Sequence, residues 1–292
     1  MPARDASGER GYAKAMSPLV LSLVLGSALM HAAWNAMLRS NLDRLWSMVV
    51  LCILCAALAL PVAVVAPHPA AASWPYLAGS AVLQALSALL LVRAYREGQL
   101  AHVYPLARGA APLLVTLGAA AAAGERLAPL GLAGVALVSG GIFAIALGRG
   151  RPDAPSTLAA LATGACIATY MVVDGIGVRL SGHPIGYASV QAVVQAAPMP
   201  LVYYALRGRW PHFEATRQLG KMAVGAAISV VAYGVVIWAM SRAAMGQVSA
   251  LRETSILFAA VIGAVFLKER LTARRLLGAA MMAGGAVALS VG

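Results

Sequence analysis

Four ionisable side chains stand inside long apolar stretches, where lipid-like sequence normally carries none. Arg108 follows Ala101-His102-Val103-Tyr104-Pro105-Leu106-Ala107, Arg252 and Glu253 follow Gln247-Val248-Ser249-Ala250-Leu251, and Asp174 follows Met171-Val172-Val173. At the centre of a membrane helix such a residue costs about 2.5–3.5 kcal/mol on insertion scales, so it persists where it faces a cavity or a partner. The residue types define the chemistry on offer. A guanidinium fork matches the oxygens of a carboxylate, phosphate or phosphonate, and a carboxylate can carry a proton. Adjacent residues point about 100° apart on a helix, so Arg252 and Glu253 serve each other poorly. Each needs a group on another segment, and Arg108 is one partner for Glu253. The set reads either as an ion-pair network locking the molecule together or as a substrate and coupling site, with Glu253 the favoured protonatable group and Asp174 behind it. Asp174 stands about a turn from the end of its apolar run, where an interfacial cap or a pair with Arg179 competes with proton carriage. Arg108 either faces the interior or snorkels to the head groups.

His31 and Asn35 add a second polar pair. At i and i+4 they share one helix face, where they act either as hydrogen-bonding glue between helices or as cavity lining. With Tyr104 and Tyr233 they complete a candidate binding set of His31, Asn35, Tyr104, Arg108, Tyr233 and Arg252. Trp34, Tyr170 and Trp238 belong either to the same cavity or to an interfacial aromatic belt. Cys52 and Cys55 form a C-x-x-C pair, but without a second pair or a nearby histidine they read as helix-packing residues, as does Cys166. The five histidines, His31, His68, His102, His183 and His212, lack ligand spacing, and no H-E-x-x-H or G-x-S-x-G motif is present. The residues therefore indicate no metal site.

Helices in lipid must position these groups. The 292 residues are 61% hydrophobic and only 11% charged, against roughly a quarter charged in soluble domains. The net charge of +12 sits at span ends, which argues for interface anchors and against nucleic acid as a partner. Spanning helices need about 20 apolar residues, and ten candidates tile the chain, at 18–38, 46–66, 74–92, 100–123, 129–147, 156–178, 184–206, 221–241, 246–267 and 273–291. Residues 1–17 are polar, and the apolar run after them is too long for a cleaved signal. It reads as a retained first helix. Pro105 and Pro112, with Gly109 between them, predict a kinked or locally opened fourth span.

The chain also repeats itself. At an offset of 144, Arg108, Glu125, Arg126, Leu127, Gly134, Gly140 and Gly141 match Arg252, Glu269, Arg270, Leu271, Gly278, Gly284 and Gly285. A breaker-rich linker, 149–155, separates a first unit at 18–148 from a second at 156–292. Five spans per unit force opposite insertion, so the expected fold is an all-α polytopic membrane protein of ten transmembrane helices in two inverted five-helix repeats. Both termini then lie on one side, with Glu125 and Glu269 on opposite faces and serving mainly as turn formers. Six Lys and Arg residues fall on the terminal side against fourteen on the other, which by loop charge puts the termini outside.

At the two Gly124-Glu125-Arg126-Leu127 and Lys268-Glu269-Arg270-Leu271 turns, each followed by a glycine-containing helix, the chain resembles the drug/metabolite transporter superfamily, EamA type, over nearly its whole length. A narrower resemblance, through His31-Ala32-Ala33-Trp34-Asn35, is to bacterial members associated with phosphonate utilisation. The resemblance implies a bacterial-type inner (cytoplasmic) membrane, no cofactor, and transport of small metabolites. It also implies cytoplasmic termini, which we adopt over the loop count. The expected function is alternating-access secondary transport of a small polar metabolite, anionic or zwitterionic, with proton or ion coupling, as a monomer or homodimer. An intramembrane enzyme and a lipid-facing scaffold are the competing classes. The cavity is expected among spans one, three, four, six, eight and nine, with spans five and ten peripheral.

Overall fold

The computed structural model describes residues 16–38, 44–97, 100–146, 154–211, 217–266 and 272–292, and all regular structure among them is helical. The helices are α1 (Pro18–Leu38), α2 (Arg44–Val65), α3 (Trp74–Glu97), α4 (Leu100–Ala123), α5 (Pro129–Ala146), α6 (Ala154–Leu180), α7 (Pro184–Val194), α8 (Pro198–Arg207), α9 (Arg217–Met240), α10 (Met245–Glu253), α11 (Ser255–Phe266) and α12 (Ala273–Val291). Five of the described stretches are long and apolar enough to cross a bilayer, at Leu45–Val65, Pro105–Ala123, Ala154–Leu180, Leu219–Met240 and Ala273–Val291. Helices satisfy their own backbone, which is what a hydrocarbon solvent requires. Large apolar side chains such as Leu19, Val64, Leu158 and Val287 face outward, as expected where the surroundings are lipid rather than water.

Two expected spans are broken. The run at 184–206 turns at Gln195-Ala196-Ala197 and restarts at Pro198, whose ring lacks the N–H that would continue the ladder. The run at 246–267 breaks at Thr254, immediately after Arg252 and Glu253, with the Thr254 N–H folding back to Leu251 O at 3.1 Å. The fourth span, by contrast, stays helical through Pro105 and Pro112. The expectation of a locally opened fourth span is therefore not met, and the break falls instead between α10 and α11, which contain no proline.

α6 packs against α3 and α4, and α1 packs against α9, α10 and α11; α2 lies on α7 and α9. A continuous core runs through Val24, Val115, Met171, Tyr187, Ile237, Met245 and Leu251. α5 and α12 form a tight pair away from the cavity described below. A methyl built on Gly141 would stand 2.6 Å from Gly278 O, and one on Gly285 would stand 2.7 Å from Gly134 O. Adding 144 to Gly134 and Gly141 gives Gly278 and Gly285, so the repeat offset exchanges the two contacts.

The connections after α2, α4, α6 and α9 meet at one end of the bundle. Ala70 N–H donates to Ser181 O at 3.0 Å. Arg179 donates to Met240 O and Ala243 O, both at 2.9 Å, and pairs with Glu125. Glu125 also accepts from Met245 N–H at 2.9 Å, at the start of α10. Glu125 is thus more than a turn former, because it fastens the α4–α5 turn to α6 and α10. Glu269 lies outside the described residues, so its face of the bilayer is open.

Candidate functional site

The buried charges meet between α1, α4, α6, α9 and α10. Arg108 and Glu253 are both buried, with Nε and Oε2 2.8 Å apart. Ala107 and Ala110 of α4 are small and buried, which lets the helix that carries Arg108 approach α6 closely. A Cβ on Gly164 would stand 2.8 Å from Ala107 O. The Arg108 guanidinium also reaches toward His31, with Nη2 and Nε2 3.5 Å apart. His31 accepts from Trp34 Nε1 at 3.3 Å, and the two rings meet edge to face.

Arg252 occupies a different environment one residue away. Its guanidinium lies over the Tyr233 ring, 5.4 Å from the centroid, and Nη1 approaches the Met171 sulfur at 3.8 Å. None of the ion pairs among the described residues involves it. Adjacent on α10, the two side chains point about 100° apart and so serve different neighbours, Glu253 on α4 and Arg252 on α9 and α6.

Arg252 and Tyr233 line a cavity of about 190 Å³ together with Ser27, His31, Trp34 and Tyr170. Helices α1, α3, α6, α9 and α10 contribute to its wall, whereas α4, expected with them, supplies none of the described lining. Arg108 is not on that wall; it stands behind it, joined to His31. The wall also includes Leu51, Cys52 and Cys55 of α2 and Ala188, Ala192 and Gln195 at α7, two helices that sequence reasoning left out. Cys52 and Cys55 thus border the cavity while also packing between helices as expected, Cys52 against the cluster around Leu45 and Val49 and Cys55 Sγ 3.7 Å from Ala226 O. Trp238 is not in the wall, and Arg242 stacks over its ring at 5.4 Å. The side chains of Asn35 and Tyr104 lie outside the described residues.

Asp174 is completely buried and does not pair with Arg179, which is engaged by Glu125. Its Oδ2 accepts from Tyr233 Oη at 2.7 Å and its Oδ1 from Tyr187 Oη at 3.2 Å. Ser80 also contacts the carboxylate, while accepting from Gln84 Nε2 at 3.1 Å and Gln191 Nε2 at 2.9 Å. Tyr233 thus has its ring under Arg252 and its hydroxyl on Asp174.

These features define a multi-pass helical membrane protein with a small cavity inside the bundle, lined by apolar side chains and a few polar ones. Residues 155–291 match the model of the EamA-like transporter family, in line with the resemblance to the drug/metabolite type of transporter read from the Glu-Arg-Leu turns. No curated protein matches the sequence. A solved structure titled only "Crystal structure of protein" is similar with a TM-score of 0.71 at 18% identity, covering 92% of this chain and 94% of that one. At that identity the likeness speaks for the fold alone.

Proposed function

We propose that the protein is a secondary transporter that moves a small anionic or zwitterionic metabolite across a bacterial-type inner membrane by alternating access. The observation that carries this reading is the inequality of the two arginines. Arg108 is neutralised by Glu253, whereas Arg252 presents a guanidinium to the cavity against an aromatic face. A buried guanidinium in no ion pair among the described residues is better placed than Arg108 to receive an anionic guest, and the fork suits carboxylate or phosphonate oxygens.

Alternating access by two inverted halves is supported by three features. The glycine contacts between α5 and α12 are exchanged by the 144-residue offset. The packing of α6 on α3 and α4 has its counterpart in α1 on α9, α10 and α11. Every second connection meets at one end of the bundle, as it would if ten spans crossed in alternation with both termini at that end. The break of α10 and α11 beside Arg252 fits the discontinuous helices that transporters place at a midplane site. Cytoplasmic termini and coupling to a proton or ion gradient through Glu253 or Asp174 belong to the same reading.

Purified protein in liposomes tests it. A panel of small carboxylates, amino acids and phosphonates should include species that raise the unfolding temperature and are taken up. Arg252→Lys keeps the charge but loses the fork, and should cut that uptake at least tenfold with expression unchanged. Uptake of quaternary ammonium compounds, indifferent to every anion in the panel, would overturn the reading.

A further inference from the structure

Building on the proposed transport of an anion, we propose that Asp174, and not Glu253, is the site that takes up the coupling proton, and that Tyr233 transmits its protonation to the cavity. Glu253 already has a counter-charge, with Arg108 Nε 2.8 Å from its carboxylate. Protonating it would strand the Arg108 guanidinium in the core. Asp174 has no such constraint, since its two oxygens accept from the neutral phenols of Tyr187 and Tyr233.

The groups facing Asp174 from the packed helices are Ser80 of α3, Tyr187 of α7 and Tyr233 of α9, with Arg252 of α10 acting through space. Of the two phenols only Tyr233 lines the cavity. Tyr187 is fully buried and enclosed, its hydroxyl lying directly over Gly177. This difference gives the proton a defined consequence. With Asp174 ionised, the Tyr233 O–H donates to Oδ2. When a proton from water binds Oδ2, the new acid O–H donates to the phenol oxygen instead, and the phenol hydrogen turns away from Asp174. Both phenols keep their own protons throughout. The Tyr233 O–H is then available to an anion held at Arg252, whose guanidinium lies on the same ring. Anion binding and protonation of Asp174 thereby favour one another, because loss of the aspartate charge also removes repulsion of the guest. Linkage makes the coupling reciprocal. One proton accompanies one anion, and both are released when the cavity opens to the other side.

Infrared spectroscopy of the purified protein tests this without knowing the cargo. Across about pH 4 to 10, a range that spans ordinary and strongly perturbed carboxyls, wild type should show a titrating band from a buried carboxylic acid. Asp174→Asn should remove the band, and Asp174→Glu should move its frequency, which keeps the assignment testable if the Asn variant does not fold. Methylphosphonate, which has no carbonyl to obscure the band, should increase it in wild type when added near the midpoint, and Tyr233→Phe should keep the band but lose that increase. A band unchanged by Asp174→Asn, or no titrating acid at all, overturns the assignment. Stabilisation of wild type by methylphosphonate without growth of the band overturns the linkage while leaving anion binding intact. Failure of every oxyanion to bind overturns the transport reading, and the titration of the protein alone still decides for or against Asp174.

Discussion

Replacing Glu253 by Gln keeps the shape of the side chain and removes the charge that stands 2.8 Å from Arg108 Nε. At an effective dielectric near 20, two unit charges at that distance attract by roughly 6 kcal/mol. Part of this is offset by the desolvation that both groups have already undergone. Breaking a buried pair from one side typically costs about 3–5 kcal/mol, whereas replacing both partners by neutral groups is far milder. Glu253→Gln and Arg108→Met should therefore each lose about 3–5 kcal/mol, and the double variant should lose less than the sum by at least about 3 kcal/mol. The measurement is unfolding of the purified protein in mixed micelles containing increasing denaturing detergent, with all four members of the cycle compared. Independent sites add to within about 0.5 kcal/mol. Additive losses, or a Glu253→Gln protein as stable as wild type, would show that the pair does not bind the α4 and α10 segments together.

Glu125→Ala removes the ion pair with Arg179 and the acceptor of Met245 N–H. A reporter cysteine at Ala243 should then label faster from that end of the bundle, and an unchanged rate would count against a closing role. Cys52 and Cys55 line the cavity, so a small membrane-permeant thiol reagent should modify them and the transported anion should slow the reaction; equal rates with and without it would place the anion elsewhere. Gly141→Val would force a side chain to within 2.6 Å of Gly278 O, and overpacking of this kind costs about 1–3 kcal/mol. The same substitution at Gly26, where the added carbon meets nothing within 4 Å, should shift the unfolding midpoint much less.

The sequence made the helical class, the repeated Glu-Arg-Leu turns and the importance of the buried charges legible, because a charge in an apolar run is conspicuous in a single chain. The partner of Glu253 was also within reach, since adjacent helical residues cannot face each other and the repeat supplied Arg108. Asp174 was harder. Its distance from the helix end suggested an interfacial role, and only the placement of Tyr187 and Tyr233 on other helices reveals a sealed carboxylate. The break at Thr254 left no local signal, since neither Gly nor Pro marks it. α2 and α7 were overlooked as cavity walls because Cys, Ala and Gln look like ordinary packing residues until their neighbours are known.

The seam between α5 and α12 has the character of a symmetric dimer contact written into one chain. Gly134 meets Gly285 as Gly278 meets Gly141, so each side of the seam recognises the image of itself, which is the isologous rule of two-fold assemblies. A covalent tether adds nothing to the complementarity of such a surface and raises only the effective concentration of one side near the other. Cut within 149–155 and produced as two polypeptides, the protein retains on each fragment the glycine face that the other fragment needs in order to reassemble.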